Sequence, residues 1–170
     1  VTERLVPIMA VLYIVLGIGL IVMNIGQVPA VFAAIFQGAF NPAAFTGGVV
    51  GSLFISLQKG VSRGIFSNEA GLGTGSIAHA CADTDDPAKQ GLYGIFEVFM
   101  DTIVICTLTA LVVLLSGIDI PYGQAAGAEL TINGFTAVYG NWISIFTAVA
   151  MCCFAFSTIV GWNLFGRINV

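Results

Sequence analysis

The chain has 170 residues, of which 58% are hydrophobic and 8% charged, and its formal net charge is -4. About a quarter of the residues in an ordinary soluble domain are charged, so this composition excludes a typical soluble protein and predicts an all-α, polytopic transmembrane helical bundle. The few basic residues form no cluster, which argues against nucleic acid as a partner.

The first two apolar segments differ in length. Residues 5–23 carry no charge and are long enough for a first membrane crossing. Residues 28–40 are bracketed by Pro29 and Pro42, and a helix of that length is too short to cross the hydrocarbon core. The sequence therefore predicts a short, non-spanning helix at 28–40, in or near the membrane interface.

Residues 48–82 are too long for one ordinary crossing and contain a break rich in glycine and polar residues. We interpret them as one discontinuous crossing made of half-helices at about 48–66 and 70–82, broken near 67–70. Backbone that leaves the helix at membrane depth persists only where protein, water, ion or substrate replaces its lost hydrogen bonds. The break is therefore the expected functional centre.

Two further crossings are predicted at 90–117 and 141–166, with a polar loop before the first of them. Residues 118–140 are interpreted as a glycine-containing connection that returns the chain to the membrane. The chain lacks an initiator Met and shows no cleavable signal peptide, so we expect an internal fragment of a longer membrane protein.

The basic residues predict an orientation. With these four crossings, Arg4, Lys89 and Arg167 fall on one side, which the positive-inside rule makes cytoplasmic. The connection 118–140 would then be extracytoplasmic. A full crossing at 28–40 would instead place Arg4 opposite the other two.

Ser67 and Asn68 are predicted to cap the second half-helix. They are either an ordinary cap or part of a binding site. A half-helix N-terminus at membrane depth suits a substrate carboxylate, and loosened carbonyls suit Na⁺. Gly60 with Gly64, and Gly71 with Gly75, are each four residues apart, a spacing that favours close helix packing.

The charged residues near the break leave several roles open. Arg63 and Glu69 are expected to form an ion pair or gate rather than to contact substrate. Glu97 and Asp101 are four residues apart and share one helix face, and Thr102 adds a hydroxyl. The two carboxylates could be cation ligands, proton acceptors or structural partners of Arg63 and Lys59. Asp101 is also a candidate for the gate or ion pair.

Ser157 and Thr158 lie in the middle of the last crossing. Their hydroxyls either bond back to their own helix or provide oxygen ligands for Na⁺. For His79, packing or stabilisation of a helix end is favoured over proton relay. The cysteines, with no C-x-x-C spacing, are expected to be small buried residues: Cys81, Cys106, Cys152 and Cys153.

The chain resembles the sodium:alanine (alanine or glycine:cation) symporter family. The resemblance covers nearly the whole sequence and rests mainly on GIFSNEAGLG at 64–73, FMDTIVICTLTA at 99–110 and FSTIVGW at 156–162. It implies an inverted-repeat fold of ten core helices, in which the four predicted crossings are core helices five to eight. After Trp162 the sequence departs from the family pattern, which leaves the end of helix eight without this support.

In that family fold, helices one and six hold the substrate and helix eight forms a sodium site with helix one. The resemblance implies that Ser67, Asn68, Gly71 and Thr158 line the substrate site and that Ser157 and Thr158 face Na⁺. Core helix one, in the rest of the chain, would be needed to complete both sites.

The resemblance also implies a multi-pass protein of the cell membrane that imports a small neutral amino acid, alanine or glycine, by symport with Na⁺. It implies no enzymatic activity and no cofactor besides the coupling ion, and the sequence shows no nucleophile, base and orienting group that would form a catalytic set. The alternatives are a proton-coupled carrier and a channel or structural membrane subunit. The fragment alone is not expected to transport.

Overall fold

The structure, a computed structural model, describes residues 2–40, 49–69, 71–120 and 127–168. Regular secondary structure in these ranges is helical, as predicted, with a short 3₁₀ turn at Ile25–Gln27. The helices are α1 Thr2–Met23, α2 Val28–Phe40, α3 Val49–Ser67, α4 Thr74–Ala80, α5 Pro87–Leu115, α6 Ala128–Tyr139 and α7 Trp142–Ile168.

Three of the described helices are long and apolar enough to cross a membrane: Arg4–Met23 in α1, all of α5, and Trp142–Arg167 in α7. Most of their large apolar side chains are exposed, which suits helices that face lipid. These features define part of a multi-pass membrane protein. That α2 does not span, and that α3 and α4 form one crossing, stay predictions.

Helix α5 begins three residues earlier than expected because the local sequence favours a start at Pro87. The Asp86 side chain accepts hydrogen bonds from the backbone N–H groups of Ala88 (2.9 Å) and Lys89 (3.4 Å). Pro87 occupies the first helical turn, where its missing N–H costs nothing. The proline therefore starts the helix rather than terminating the preceding structure.

The chain divides into two compact units, one of Val1–Val31 with Thr107–Val170 and the other of Phe32–Cys106. The first unit has a small core of apolar side chains from α1, α5, α6 and α7: Leu20, Leu111, Val112, Leu115, Phe135 and Ile143. Phe135 is fully buried and meets the ring of Tyr13 edge-on at 5.6 Å. The Tyr139 hydroxyl donates to the Leu16 carbonyl at 2.8 Å, and burial raises the pKa of this phenol.

The second half of the predicted connection at 118–140 is helical. It contains helix α6, which packs against α1 and α7. Gly134 lets α6 approach α5 closely, since a Cβ there would lie 3.3 Å from Val112 Cγ1. A short helix with a central glycine gives a weak sequence signal, and burial of Phe135 in the core is what stabilises it.

The expectation of buried cysteines is wrong in this structure. Cys81, Cys106 and Cys152 are exposed, Cys153 is half-buried, and all four are free thiols. Their apolar neighbours reflect helices compatible with lipid rather than a protein core. A run of apolar residues cannot distinguish these two environments.

The predicted topology can be tested by labelling single cysteines at Thr2, Ala88 and Gly127 in the complete protein, in a background without native cysteines. We expect Thr2 and Ala88 to react with a membrane-impermeant reagent from the cytoplasmic side and Gly127 from the other. The reason is that the 13 residues of α2 extend only about 20 Å, whereas the hydrocarbon core is roughly 30 Å thick. Labelling of Thr2 and Ala88 from opposite sides would show that α2 spans.

Candidate functional site

A tight turn with left-handed backbone separates α3 from α4. Beyond Ser67, positive φ angles occur at Glu69 (51°), Gly71 (81°) and Gly73 (82°). Gly73 precedes the first residue of α4 and provides no side-chain cap. Since side chains other than glycine disfavour this backbone region, the glycines permit the turn itself.

Two expectations about this segment are therefore corrected. Ser67 and Asn68 do not cap α4; they lie at the end of α3, where the Asn68 N–H donates to the Gly64 carbonyl at 3.0 Å. Close helix packing is also not found at Gly60, Gly64 or Gly71, because a Cβ at each would meet nothing within 4 Å among the described residues.

The side chains of Ser67 and Asn68 bind two consecutive residues of α5. Ser67 Oγ donates to Asp101 Oδ2, and Thr102 Oγ1 donates to Asn68 Oδ1 at 3.0 Å. We call these two bonds the break–α5 hydrogen bonds. They hold the end of α3 against one position on α5, where the predicted substrate residue Ser67 meets the predicted gate residue Asp101 and Asn68 meets Thr102.

Asp101 and Thr102 lie in a π-helical segment of α5, Met100–Ile105. Such segments are rare and often occur at functional sites. The wider turn changes the directions of side chains relative to an α-helix, and here both residues bind partners on α3. Asp101 and the neighbouring Thr102 hydroxyl were identified from the sequence, whereas the π segment has no sequence signal.

The charged side chains do not pair as predicted. In the part of the chain that the structure describes, no ion pair joins Arg63 to Glu69. Arg63 is exposed, whereas Glu69 is half-buried, with Oε2 3.7 Å from the position of a Cβ on Gly75. A gate role for Arg63 and Glu69 stays a prediction.

The two carboxylates of α5 have different partners. Asp101 binds Ser67, whereas Glu97 is 74% exposed and its Oε2 lies 3.8 Å from His79 Nε2. His79 Nδ1 is also 2.9 Å from Gln90 Nε2, and the ring borders a cavity of about 500 Å³. These contacts agree with the packing role expected for His79.

Thr74, the first residue of α4, was not singled out from the sequence. Its hydroxyl oxygen is buried and has no hydrogen-bond partner among the described residues. Burying a hydroxyl group without a hydrogen-bond partner costs free energy. The Thr74 hydroxyl therefore has an unused capacity to form a hydrogen bond. No feature of the local sequence distinguishes this threonine from a helix-starting residue.

Ser157 and Thr158 lie on α7, in the other compact unit. Thr158 Oγ1 donates to the Phe154 carbonyl at 3.0 Å, which is the back-bonding alternative considered above. A hydroxyl oxygen that donates its hydrogen keeps lone pairs for a cation. Ser157 is half-buried.

Long apolar helices, together with a glycine-rich break whose side chains bind a carboxylate on a neighbouring helix, are features of helical membrane carriers. The sequence model of the Sodium:alanine symporter family matches residues 1–170. The chain belongs to this family, which is one of transporters rather than enzymes.

Curated relatives share substantial identity along nearly the whole chain. The sodium/alanine symporter AgcS of Methanococcus maripaludis is 42% identical over 98% of this chain and 36% of its own length. The probable sodium/glutamine symporter GlnT of Bacillus subtilis is 40% identical over 99% of this chain and 34% of its own length. The amino-acid carrier protein AlsT of the same organism is 38% identical over 100% of this chain and 35% of its own length. The chain thus spans about a third of the length of these relatives.

Proposed function

We propose that the complete protein is a Na⁺-coupled symporter that carries a small neutral amino acid, alanine or glycine, into the cell. Family membership along residues 1–170 supports ion-coupled amino acid transport. The structural observation that carries the proposal is the turn between Ser67 and Thr74, whose preceding side chains bind Asp101 and Thr102. An unwound segment held in place by its neighbour is suited to present backbone groups to a ligand.

Substrate binding at this turn requires no covalent chemistry. Ser67, Asn68 and Gly71 are the proposed contacts from this segment, and Thr158 is a further one from α7. Backbone groups released from helical hydrogen bonding at a broken helix can bind the carboxylate and ammonium groups common to amino acids. In this turn the N–H groups of Asn68 and Leu72 already donate to the Gly64 and Glu69 carbonyls, so the proposed contacts are made by other backbone groups. The names of the relatives include both alanine and glutamine, which have uncharged side chains.

Na⁺ is the proposed coupling ion, with the hydroxyls of Ser157 and Thr158 as ligands. A hard cation prefers oxygen ligands, and a mid-span helix offers few others than hydroxyls and released carbonyls. The remaining ligands would come from the rest of the chain. Coupling arises if Na⁺ binds more tightly to the conformation that binds substrate.

The test is uptake by the complete protein reconstituted in liposomes, with labelled alanine, glycine and glutamine. An inward Na⁺ gradient should drive alanine or glycine above its external concentration, and an equal K⁺ gradient should not. Accumulation driven by a proton gradient without Na⁺ would establish the proton-coupled alternative. Equilibration without accumulation would establish a channel and overturn the proposal.

The sodium ligands make a separate prediction. Replacing both Ser157 and Thr158 by Ala should raise the Na⁺ concentration for half-maximal uptake about tenfold, which corresponds to about 1.4 kcal/mol of lost binding free energy. The matched control on α7 is Ser144→Ala with Thr147→Ala, whose hydroxyls donate to Asn141 and Ile143 at 2.7 and 3.0 Å. An equal Na⁺ shift in the control, or none in the first variant, would assign Ser157 and Thr158 to helix back-bonding.

A further inference from the structure

Helix α4 needs a contact outside itself to hold its position. It has seven residues, and isolated helices of that length are unstable in water. The glycine turn precedes it, and a polar loop to Asp86 follows it. Neither flank is a continuous helix that would fix its direction, so its packing against α5 decides where it lies.

His79, near the end of α4, makes this contact with three residues on one face of α5. Gln90, Gly94 and Glu97 are spaced i, i+4 and i+7, so they lie along a single stripe of the helix. Gln90 Nε2 lies 2.9 Å from His79 Nδ1, and Glu97 Oε2 lies 3.8 Å from Nε2. In the neutral tautomer with hydrogen on Nε2, the ring accepts from Gln90 and directs its N–H to Glu97.

Gly94 allows the ring to come this close. A Cβ at Gly94 would lie 3.1 Å from His79 Nε2, which is closer than ordinary side-chain packing, and 3.5 Å from Cε1, which is an ordinary contact. Gly94 is not among the glycines with positive φ, so its backbone conformation does not require a glycine at this position. One turn earlier, a Cβ at Gly91 would meet nothing within 4 Å.

The contact is also suited to break and reform. His79 is 35% and Glu97 74% exposed, and the 3.8 Å between Nε2 and Oε2 is longer than a hydrogen bond, so this contact restrains the ring only weakly. The ring borders a cavity of about 500 Å³, which leaves space for it to move away without compressing its neighbours. Among the residues that the structure describes, the hydrogen bond to Gln90 and the close approach at Gly94 are the contacts of His79 that hold α4, and contacts this few permit thermal opening.

We propose that His79 is the positioning residue that holds α4 on α5, and that this contact opens and closes during transport. The inference rests on the proposed function, because it assigns a moving part to that carrier. It predicts that loss of the contact frees the end of α4 without removing any group from the turn at Ser67–Thr74.

The experiment follows alkylation of a single cysteine placed at Ile77, which is half-buried in α4, in the purified complete protein without other cysteines. Without ligand, His79→Ala and Gly94→Ala should speed alkylation by a maleimide about fivefold, as expected for loss of one hydrogen bond or an equivalent contact. Gly91→Ala, which adds the same methyl group where it meets nothing, should react as the wild type. His79→Gln, which can still bond to Gln90, should stay within about twofold.

Saturating Na⁺ and alanine should change the wild-type alkylation rate, and His79→Ala should lose this response. Unchanged ligand-free rates in both His79→Ala and Gly94→Ala would show that the contact does not hold α4. If His79→Ala is alkylated faster but still responds to Na⁺ and alanine, the contact has only a structural role and takes no part in the transport motion. If either variant fails to fold, Gln90→Ala removes the partner of Nδ1 and should speed alkylation about threefold.

The two proposals fail separately. A wild-type protein that does not accumulate alanine with Na⁺ overturns the proposed symport, whatever the ligand-free alkylation rates are. A wild-type protein that accumulates alanine while all variants alkylate at its own rate overturns only the role of His79.

Discussion

Gly71→Leu in the complete protein should abolish alanine uptake while the variant still inserts into the membrane. Gly71 has φ 81°, and a side chain in this left-handed region costs about 1–2 kcal/mol. A Cβ at Gly71 meets nothing within 4 Å, so the effect comes from the backbone and from the intruding leucine, not from a clash with the described residues. Either effect displaces the groups that would face the substrate.

Uptake of labelled alanine, with membrane insertion measured in parallel, checks this result. Gly60→Leu is the matched control, because Gly60 lies within α3, has no positive φ and also has open space at its Cβ position. Gly71→Ala adds the strain with little bulk and should retain partial uptake. Wild-type uptake by well-inserted Gly71→Leu would argue against a site at the turn.

Asp101→Leu should lower the uptake efficiency, kcat/KM for alanine, by at least tenfold. The substitution removes the acceptor of the Ser67 hydroxyl, and a hydrogen bond to a charged group is worth about 1.5–3 kcal/mol. Asp101→Asn keeps an acceptor oxygen at the same place and should stay within about fivefold if the role is positioning. An equal loss in both variants would show that the charge is required.

A double-mutant cycle separates the break–α5 hydrogen bonds from general damage to α5. The loss for Asp101→Leu combined with Ser67→Ala should be smaller than the sum of the two single losses, because each single substitution removes the same hydrogen bond. Thr102→Val removes the hydroxyl that donates to Asn68 and should therefore reduce uptake. Thr107→Val, on the same helix beyond the π segment, should not reduce uptake. Additive losses would mean that Ser67 and Asp101 act independently.

The sequence determined the helical class and most helix positions. The uncharged runs at 5–23 and 141–166 correspond to α1 and α7, and the short apolar segment at 28–40 corresponds to α2. Glycine and polar residues between 63 and 76 located the break, since φ preferences and the loss of apolar residues are local properties. Asp101 was identifiable because a carboxylate in an apolar helix requires a partner.

Only the tertiary structure decided which partners these residues have. Ser67 and Asn68 looked like caps of α4 because the same polar side chains can cap a helix or form hydrogen bonds to another helix. The position of α5 determines that they bond to that helix. The packing of α6 through Phe135 and the place of His79 over Gly94 likewise depend on contacts between residues distant in sequence. Periodicity and composition describe a helix by itself, whereas hydrogen-bond partners and close approaches are fixed by how the helices pack.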